Sequence, residues 1–286
     1  MSTEQSNPER TPQNTLQDRG RRTLDVAVDV SAWIGAYPFR EIPHPDADVL
    51  VRVLERERIG HAWVGSLPSV WHRDPAPSNA WLYAQLAPHA GVLLPSPTVR
   101  PDWPGWEALL DDAVAHAAPS VRVHPMQIGL GATSNALAQL ASACAERGLV
   151  VQLTVRFEDL RQRHHMDAVG DLTAAHIRTL VRACPGVRVL VSGAGRDLIE
   201  ETHWSLTPAE QARCFWDWAW VWGPPEDHFE HLIHTIGADR FVFGGHWPMR
   251  LIQAPMATFS LLPAFLPADT IATGSKISAA ARAFRR

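Results

Sequence analysis

Short apolar runs alternate with longer amphipathic ones along almost the whole chain, and this alternation limits the fold more than any other feature. Residues 24–30, 61–66, 92–98, 121–124, 150–155, 187–191, 214–221 and 241–243 read as eight strands. Between them, residues 46–58, 79–86, 106–117, 135–147, 173–183 and 227–236 carry helical patterns, the first through Val49, Leu50, Val53 and Leu54. Gly148 is placed to stop one helix and Thr173 to cap another. The strands are apolar on both faces, as parallel strands covered by helices are. Eight such units close a (β/α)8 TIM barrel of roughly 250 residues. An open doubly wound sheet is the alternative, but no glycine-rich phosphate loop follows the first strand. The sequence predicts one α/β barrel domain over residues 23–286, preceded by a polar tail at 1–22 that is expected to be disordered.

Composition narrows the partners. Twenty-six basic against 30 acidic residues leave a net charge of −4, which implies no nucleic-acid or anionic-membrane surface. No run approaches the ~20 apolar residues that span a bilayer, so no membrane partner is expected. Residues 1–22 lack the apolar core of a secretory signal. Cys144, Cys184 and Cys214 are far apart and form no C-x-x-C pair, which predicts free thiols in a reducing cytoplasm. Fourteen His and 12 Trp suggest an aromatic-lined pocket for a small-molecule substrate.

Barrels of this kind do their chemistry at the C-terminal ends of the strands. There the sequence places Ser31, Trp33, Ser66, Arg122, His124, Arg156, Glu158, Asp159, Ser192, Asp217 and His246. Neutral imidazoles at His246 and His124 can move protons near neutral pH. Arg122 and Arg156 can hold an anionic substrate, with Ser31, Trp33 and Trp247 beside it. Glu158 or Asp159 can orient one of the imidazoles. Trp216, Trp218, Trp220 and Trp222 alternate along the seventh strand and are expected to pack outward, with Trp222 near the pocket at the strand end. Asp217 then points inward and needs a partner, for which Arg122 and Arg156 are the candidates. Residues 37–40 read either as part of a lid whose Arg40 reaches a substrate acid group or, equally, as a packed loop with a solvent-facing Arg.

Phe243-Gly244-Gly245-His246-Trp247-Pro248 resembles the last-strand motif F-G-[ST]-D-x-P of the amidohydrolase-related metal-dependent hydrolases. Asp29-Val30-Ser31-Ala32-Trp33-Ile34-Gly35 is similar to that family's first-strand frame D-x-H-x-H-x-G. Val121 to Pro125 looks like its [IV]-[KR]-x-H-P motif, and residues 237–244 like its lead into the last strand. The resemblance implies a TIM barrel and hydrolysis or nonoxidative decarboxylation. It also implies a divalent metal, usually zinc, and makes a homodimer plausible. The departures are linked. Ser31 and Trp33 replace the paired His, no His stands near Val191-Ser192-Gly193, and His246 replaces the Asp. An indole nitrogen only donates, and serine is a poor zinc ligand.

Three readings follow. One is a metal-independent enzyme using His246, His124 and Glu158. A second is a relocated metal site built from His124, Glu158, His164 or His165, and His246. The third is a barrel without catalysis that serves as a binding or scaffolding subunit.

Overall fold

A computed structural model describes residues 26–43, 46–223 and 225–262. Strands β1 (Val26–Ile34), β2 (Ile59–Ser66), β3 (Leu93–Pro95), β4 (Ser120–Val123), β5 (Val150–Thr154), β6 (Arg188–Ser192), β7 (Cys214–Asp217) and β8 (Phe241–Val242) all pair in parallel. Ladders link β1 to β3 in one group and β4 to β8 in another. Backbone bonds close both seams. Past β3, Val99 N–H donates to Arg122 O and Arg122 N–H to Pro97 O, each at 2.8 Å. Past β8, Phe243 O accepts from Val30 N–H at 3.0 Å and Trp247 O from Trp33 N–H at 2.8 Å. The result is the expected (β/α)8 barrel.

Helices α1 (Ala47–Arg56), α2 (Ala76–Leu86), α3 (Trp106–Ala115), α4 (Asn135–Arg147), α5 (Ala174–Ala183), α6 (Arg196–Trp204), α7 (Pro208–Gln211), α8 (His228–Ile236) and α9 (Gln253–Ser260) accompany the strands. Helix α1 starts where the Asp46 carboxylate accepts from Val49 N–H at 2.7 Å, and it buries Ala47, Leu50, Val53 and Leu54. Helix α4 ends at Gly148, whose φ of +65° suits glycine. Thr173 occupies the cap position of α5, but its side chain meets His176 Nδ1 at 2.9 Å instead of a backbone N–H.

Apolar residues form three clusters. The largest lies between strands and helices and includes Leu50, Leu137, Val151, Val189, Trp216 and Phe229. Val28, Val30, Trp63, Val150, Leu190, Phe215 and Val242 fill the barrel interior. Trp33, Tyr37, Leu67, Val70, Phe157 and Met249 form the third, with Phe39 and Trp71 against it, at the C-terminal mouth. Because strand side chains alternate, the interior residues are followed two positions later by Gln152, Ser192, Asp217 and Gly244, which line the next level up.

Several expectations need correction. β1 continues through Ile34, which puts Ser31 and Trp33 inside the strand. β7 stops at Asp217, because the Asp217 carboxylate accepts from Ala219 N–H at 3.2 Å and turns the chain. The four Trp of 216–222 therefore share no strand face. Trp218 does pack outward, against Phe229, Phe243 and Phe259. Helices α6 and α7 occupy a segment where no helix was expected. The anticipated tail at 1–22 lies outside the described residues. Cys144, Cys184 and Cys214 are free, the first and last buried. Among the described residues no helix is long and apolar enough to cross a membrane.

Candidate active site

The mouth of the barrel is organised around a kink in β1. Pairing with β2 slips between Asp29 and Ala32. The Asp29 carboxylate spans the slip, accepting from Ser31 N–H at 2.9 Å and from Gly245 N–H at 2.8 Å. It thereby ties β1 to the loop after β8. Burial pushes its pKa up to about 6, and the neighbouring Asp217 charge adds to this against the pull of both N–H groups. The paired glycines of the last-strand motif fit this crowding. A Cβ on Gly244 would lie 2.5 Å from Asp217 Oδ2, and one on Gly245 would lie 2.4 Å from Asp29 Oδ2. His246 follows with φ of +55°, a conformation costly for a residue with a Cβ, and its N–H donates to Ser31 Oγ at 3.2 Å.

Trp33 and Arg122 form the next level. The Arg122 guanidinium lies 3.8 Å from the centre of the Trp33 ring. Both need Gly65, where a Cβ would come within 2.8 Å of Trp33 Cζ3 and 2.9 Å of Arg122 Nε. Arg122 is fully buried. Its Nη2 donates to Ala32 O and Trp63 O at 3.1 Å each, and Nε donates to Ser96 Oγ at 3.2 Å. Burial lowers its pKa to about 9, opposed by the charges of Asp29 and Asp217, so it stays cationic at neutral pH. Arg122 is thus committed to the framework, with only Nη1 unpartnered, and the expectation that it is free to hold a substrate is corrected. Nor does it pair with Asp217. That carboxylate accepts from Gly193 N–H at 3.1 Å and from Ala219 N–H, and burial raises its pKa.

His124 and His246 are brought together under the aromatic cluster. Phe157 touches both, with ring centres 5.7 Å and 6.4 Å away, and Trp33 stands 5.9 Å from His124. Both imidazoles are buried, and among the described residues none of their four ring nitrogens makes a hydrogen bond of ordinary geometry. Burial, with the Arg122 charge, pushes each down to about 3. For His246 the Arg250 charge acts in the same direction, and the nearby Phe157 carbonyl opposes it. Both rings are therefore neutral at physiological pH.

The other expected site residues are held elsewhere. Glu158 does not orient an imidazole. It accepts from Arg40 Nε at 2.5 Å and Tyr37 O–H at 3.1 Å, which also means that Arg40 fastens the 37–40 loop instead of awaiting a substrate. Arg156 is paired with Asp171 at 2.6 Å. Asp159 is engaged by Arg161. Trp247 contributes its carbonyl to Trp33, and its half-buried ring packs against the helical layer. His165 is exposed and rests on His164, which stacks on Phe39 outside the cluster. Among the described residues no three His, Cys, Asp or Glu side chains are placed to hold a metal ion. The donor set does not fit a divalent cation, and His124, Glu158, His165 and His246 do not form the relocated site.

Phe157 and Asp29 were not singled out from sequence, and Trp220, expected to pack outward on the seventh strand, meets His246 instead. Asp29 heads the first-strand frame, which was a usable signal; Phe157 gave none beyond lying past a strand end.

The fold has close relatives in shape. A 2,6-dihydroxybenzoate decarboxylase from Rhizobium superposes with a TM-score of 0.66 at 15% identity, covering 92% of this chain and 99% of that one. A dihydroxybenzoic acid decarboxylase from Polaromonas sp. JS666, with bound manganese and the inhibitor 2-nitroresorcinol, gives 0.65 at 13% identity over 92% and 97%. An amidohydrolase from Mycobacterium avium subsp. paratuberculosis K-10 gives 0.58 at 18% identity over 82% and 74%. No functionally curated protein matches the sequence. The amidohydrolase family model matches residues 27–285, nearly the whole chain, and the protein belongs to that family.

Proposed function

We propose that the protein is an amidohydrolase-like hydrolase or nonoxidative decarboxylase of a small carboxylate-bearing molecule, working without a divalent metal through His246 and His124. The observation that carries this reading is the set of four unpartnered imidazole nitrogens, buried beside Arg122 Nη1 and Trp33 Nε1, which also lack partners. Each buried polar group left unmade costs about 1–3 kcal/mol, and a ligand is one way to recover that cost. The unpartnered Trp33 nitrogen is a donor, which suits an anion. A carboxylate beside the imidazoles would raise their pKa values from about 3 toward the range where proton transfer is efficient. In decarboxylation an imidazole, protonated once the carboxylate is bound, gives its proton to the carbon that loses carbon dioxide; in hydrolysis a neutral imidazole takes one from water. The names of the structural relatives support these two reaction classes. A cytoplasmic location is supported by the free thiols, and a homodimer by the family resemblance alone.

The test is turnover of hydroxybenzoates and related acids by protein purified without a metal-affinity step. His246→Gln is expected to lower kcat by about 10²-fold or more while the fold is retained. Unchanged turnover, or near-stoichiometric zinc or manganese in the active wild type, would overturn the proposal. One observation favours a second reading, a barrel that binds without turnover: Trp33, Phe157 and Trp71 pack over the imidazoles, and Tyr37, Arg40 and Glu158 fasten the loop above. Tight binding of an acid with no product would favour that reading.

A further inference from the structure

Arg122 and Arg156 are both engaged, so an anionic ligand needs another cation. Arg250 stands in the loop after β8, where its N–H donates to His246 O at 3.1 Å. Its guanidinium lies 4.8 Å from the Trp220 ring centre and 5.8 Å from that of Trp222. Trp220 in turn meets the His246 ring edge-on, with centres 6.0 Å apart. The Arg250 charge is therefore one indole away from the candidate proton-transfer residue. It is also uncommitted. Arg40, Arg122, Arg156 and Arg163 all donate to carboxylates or backbone carbonyls. Among the described residues the Arg250 guanidinium makes no hydrogen bond and no ion pair, only its two ring contacts.

The surroundings are rich in donors. Trp220 Nε1 is buried without a partner, like both nitrogens of His246. Trp220 rests over the end of β6 because Gly193 leaves room: a Cβ there would stand 3.3 Å from Trp220 Cδ1. Trp222 is 49% exposed, so this side of the arrangement reaches solvent. A guanidinium stacked on aromatic faces keeps its planar edge free for a two-pronged contact with a carboxylate. Burial disfavours the Arg250 charge against the pull of the Asp217 and Asp159 charges, and an incoming anion would offset it further.

We propose that Arg250, backed by Trp220 and Trp222, is the anion-binding residue of this site. It takes the carboxylate of the ligand from the solvent side and holds the rest of the molecule toward His246. This rests on the reading of the barrel mouth as a ligand site. The test uses benzoate and its neutral analogue benzamide as probes, followed by intrinsic tryptophan fluorescence and by thermal shift. Wild type is expected to bind benzoate at least tenfold more tightly than benzamide. Arg250→Ala is expected to lose at least tenfold in benzoate affinity with benzamide binding unchanged, and Arg250→Lys, which keeps the charge but not the fork, to fall between. Should Arg250→Ala fail to fold, the Lys variant carries the comparison. Wild-type preference for benzoate that survives intact in the Arg250 variants overturns the assignment of Arg250 and leaves the ligand site standing. Wild type that binds neither probe overturns both.

Discussion

An imidazole that gives up its charge on folding makes stability depend on acid, and two of them here share that property. His124 and His246 fall from an ordinary value of 6.5 to about 3 in the folded protein. The unfolded chain then binds more protons between those values, so their contribution is fully present above pH 6.5 and is lost as pH falls toward 3. Asp29 acts with the opposite sign. Its folded value of about 6 lies above the ordinary 3.8, so its contribution is present below 3.8 and lost as pH rises through 6. The two effects oppose each other between 3.8 and 6, and Asp217, which burial also raises, acts with the sign of Asp29. The imidazoles therefore add a downward slope to the melting temperature as pH is lowered from 7 toward 6, against the carboxylates. His246→Gln should make that slope shallower; a slope unchanged in both His246→Gln and His124→Gln would show that neither ring is buried neutral. The place of His124 and His246 at the mouth was legible, because the C-terminal ends of barrel strands gather there. Their partners were not. Arg122 spends its donors on the carbonyls of Ala32 and Trp63, and a carbonyl is the same in every residue, so no letter of the sequence announces it.

At the scale of elements, long amphipathic helices and buried strands were readable, and short or interrupted ones were not. β7 shows why. Its apolar run continues through Val221, yet the Asp217 carboxylate captures Ala219 N–H and ends the strand. The β1 slip at Asp29 is equally local and equally hidden, since it depends on a backbone N–H from Gly245 on the far side of the chain. That dependence makes a prediction. In Gly245→Ala the new methyl would stand 2.4 Å from Asp29 Oδ2 and 2.7 Å from Ile252 Cγ1, with the strand junction on one side and the α9 approach on the other. Neither neighbour sits in open space, for Ile252 is fully buried. Overpacking of this kind costs typically 1–3 kcal/mol, and more where the backbone must shift. Urea denaturation should place Gly245→Ala at least that far below wild type. A variant as stable as wild type would mean that the junction is looser than the Asp29 contacts imply.

For the whole molecule the question is what closes the barrel, since neither seam is a full ladder. The seam between β3 and β4 is carried by Thr98, Val99 and Pro97 against the backbone of Arg122. The Arg122 side chain then crosses the interior to the carbonyls of Ala32 in β1 and Trp63 in β2. One residue thus binds the first sheet group to the second through both its main chain and its side chain. Gln152 makes a parallel link, donating to Val30 O at 2.8 Å and Ser192 Oγ at 2.9 Å. If Arg122 served mainly to hold a ligand, removing its charge from a dry interior would relieve desolvation and stabilise the empty protein. If it serves the framework, Arg122→Met leaves buried carbonyls and the Ser96 hydroxyl without their donor. Each hydrogen bond to a charged group contributes about 1.5–3 kcal/mol, so the loss should reach several kcal/mol. We expect Arg122→Met to lower the unfolding midpoint sharply with no ligand present, and Arg122→Lys to recover little, because one ammonium cannot reach carbonyls on two strands and a hydroxyl on a third in the same planar fork. A stability at or above wild type for Arg122→Met would return Arg122 to the ligand, and would leave Gln152 and the backbone seams as what holds this barrel closed.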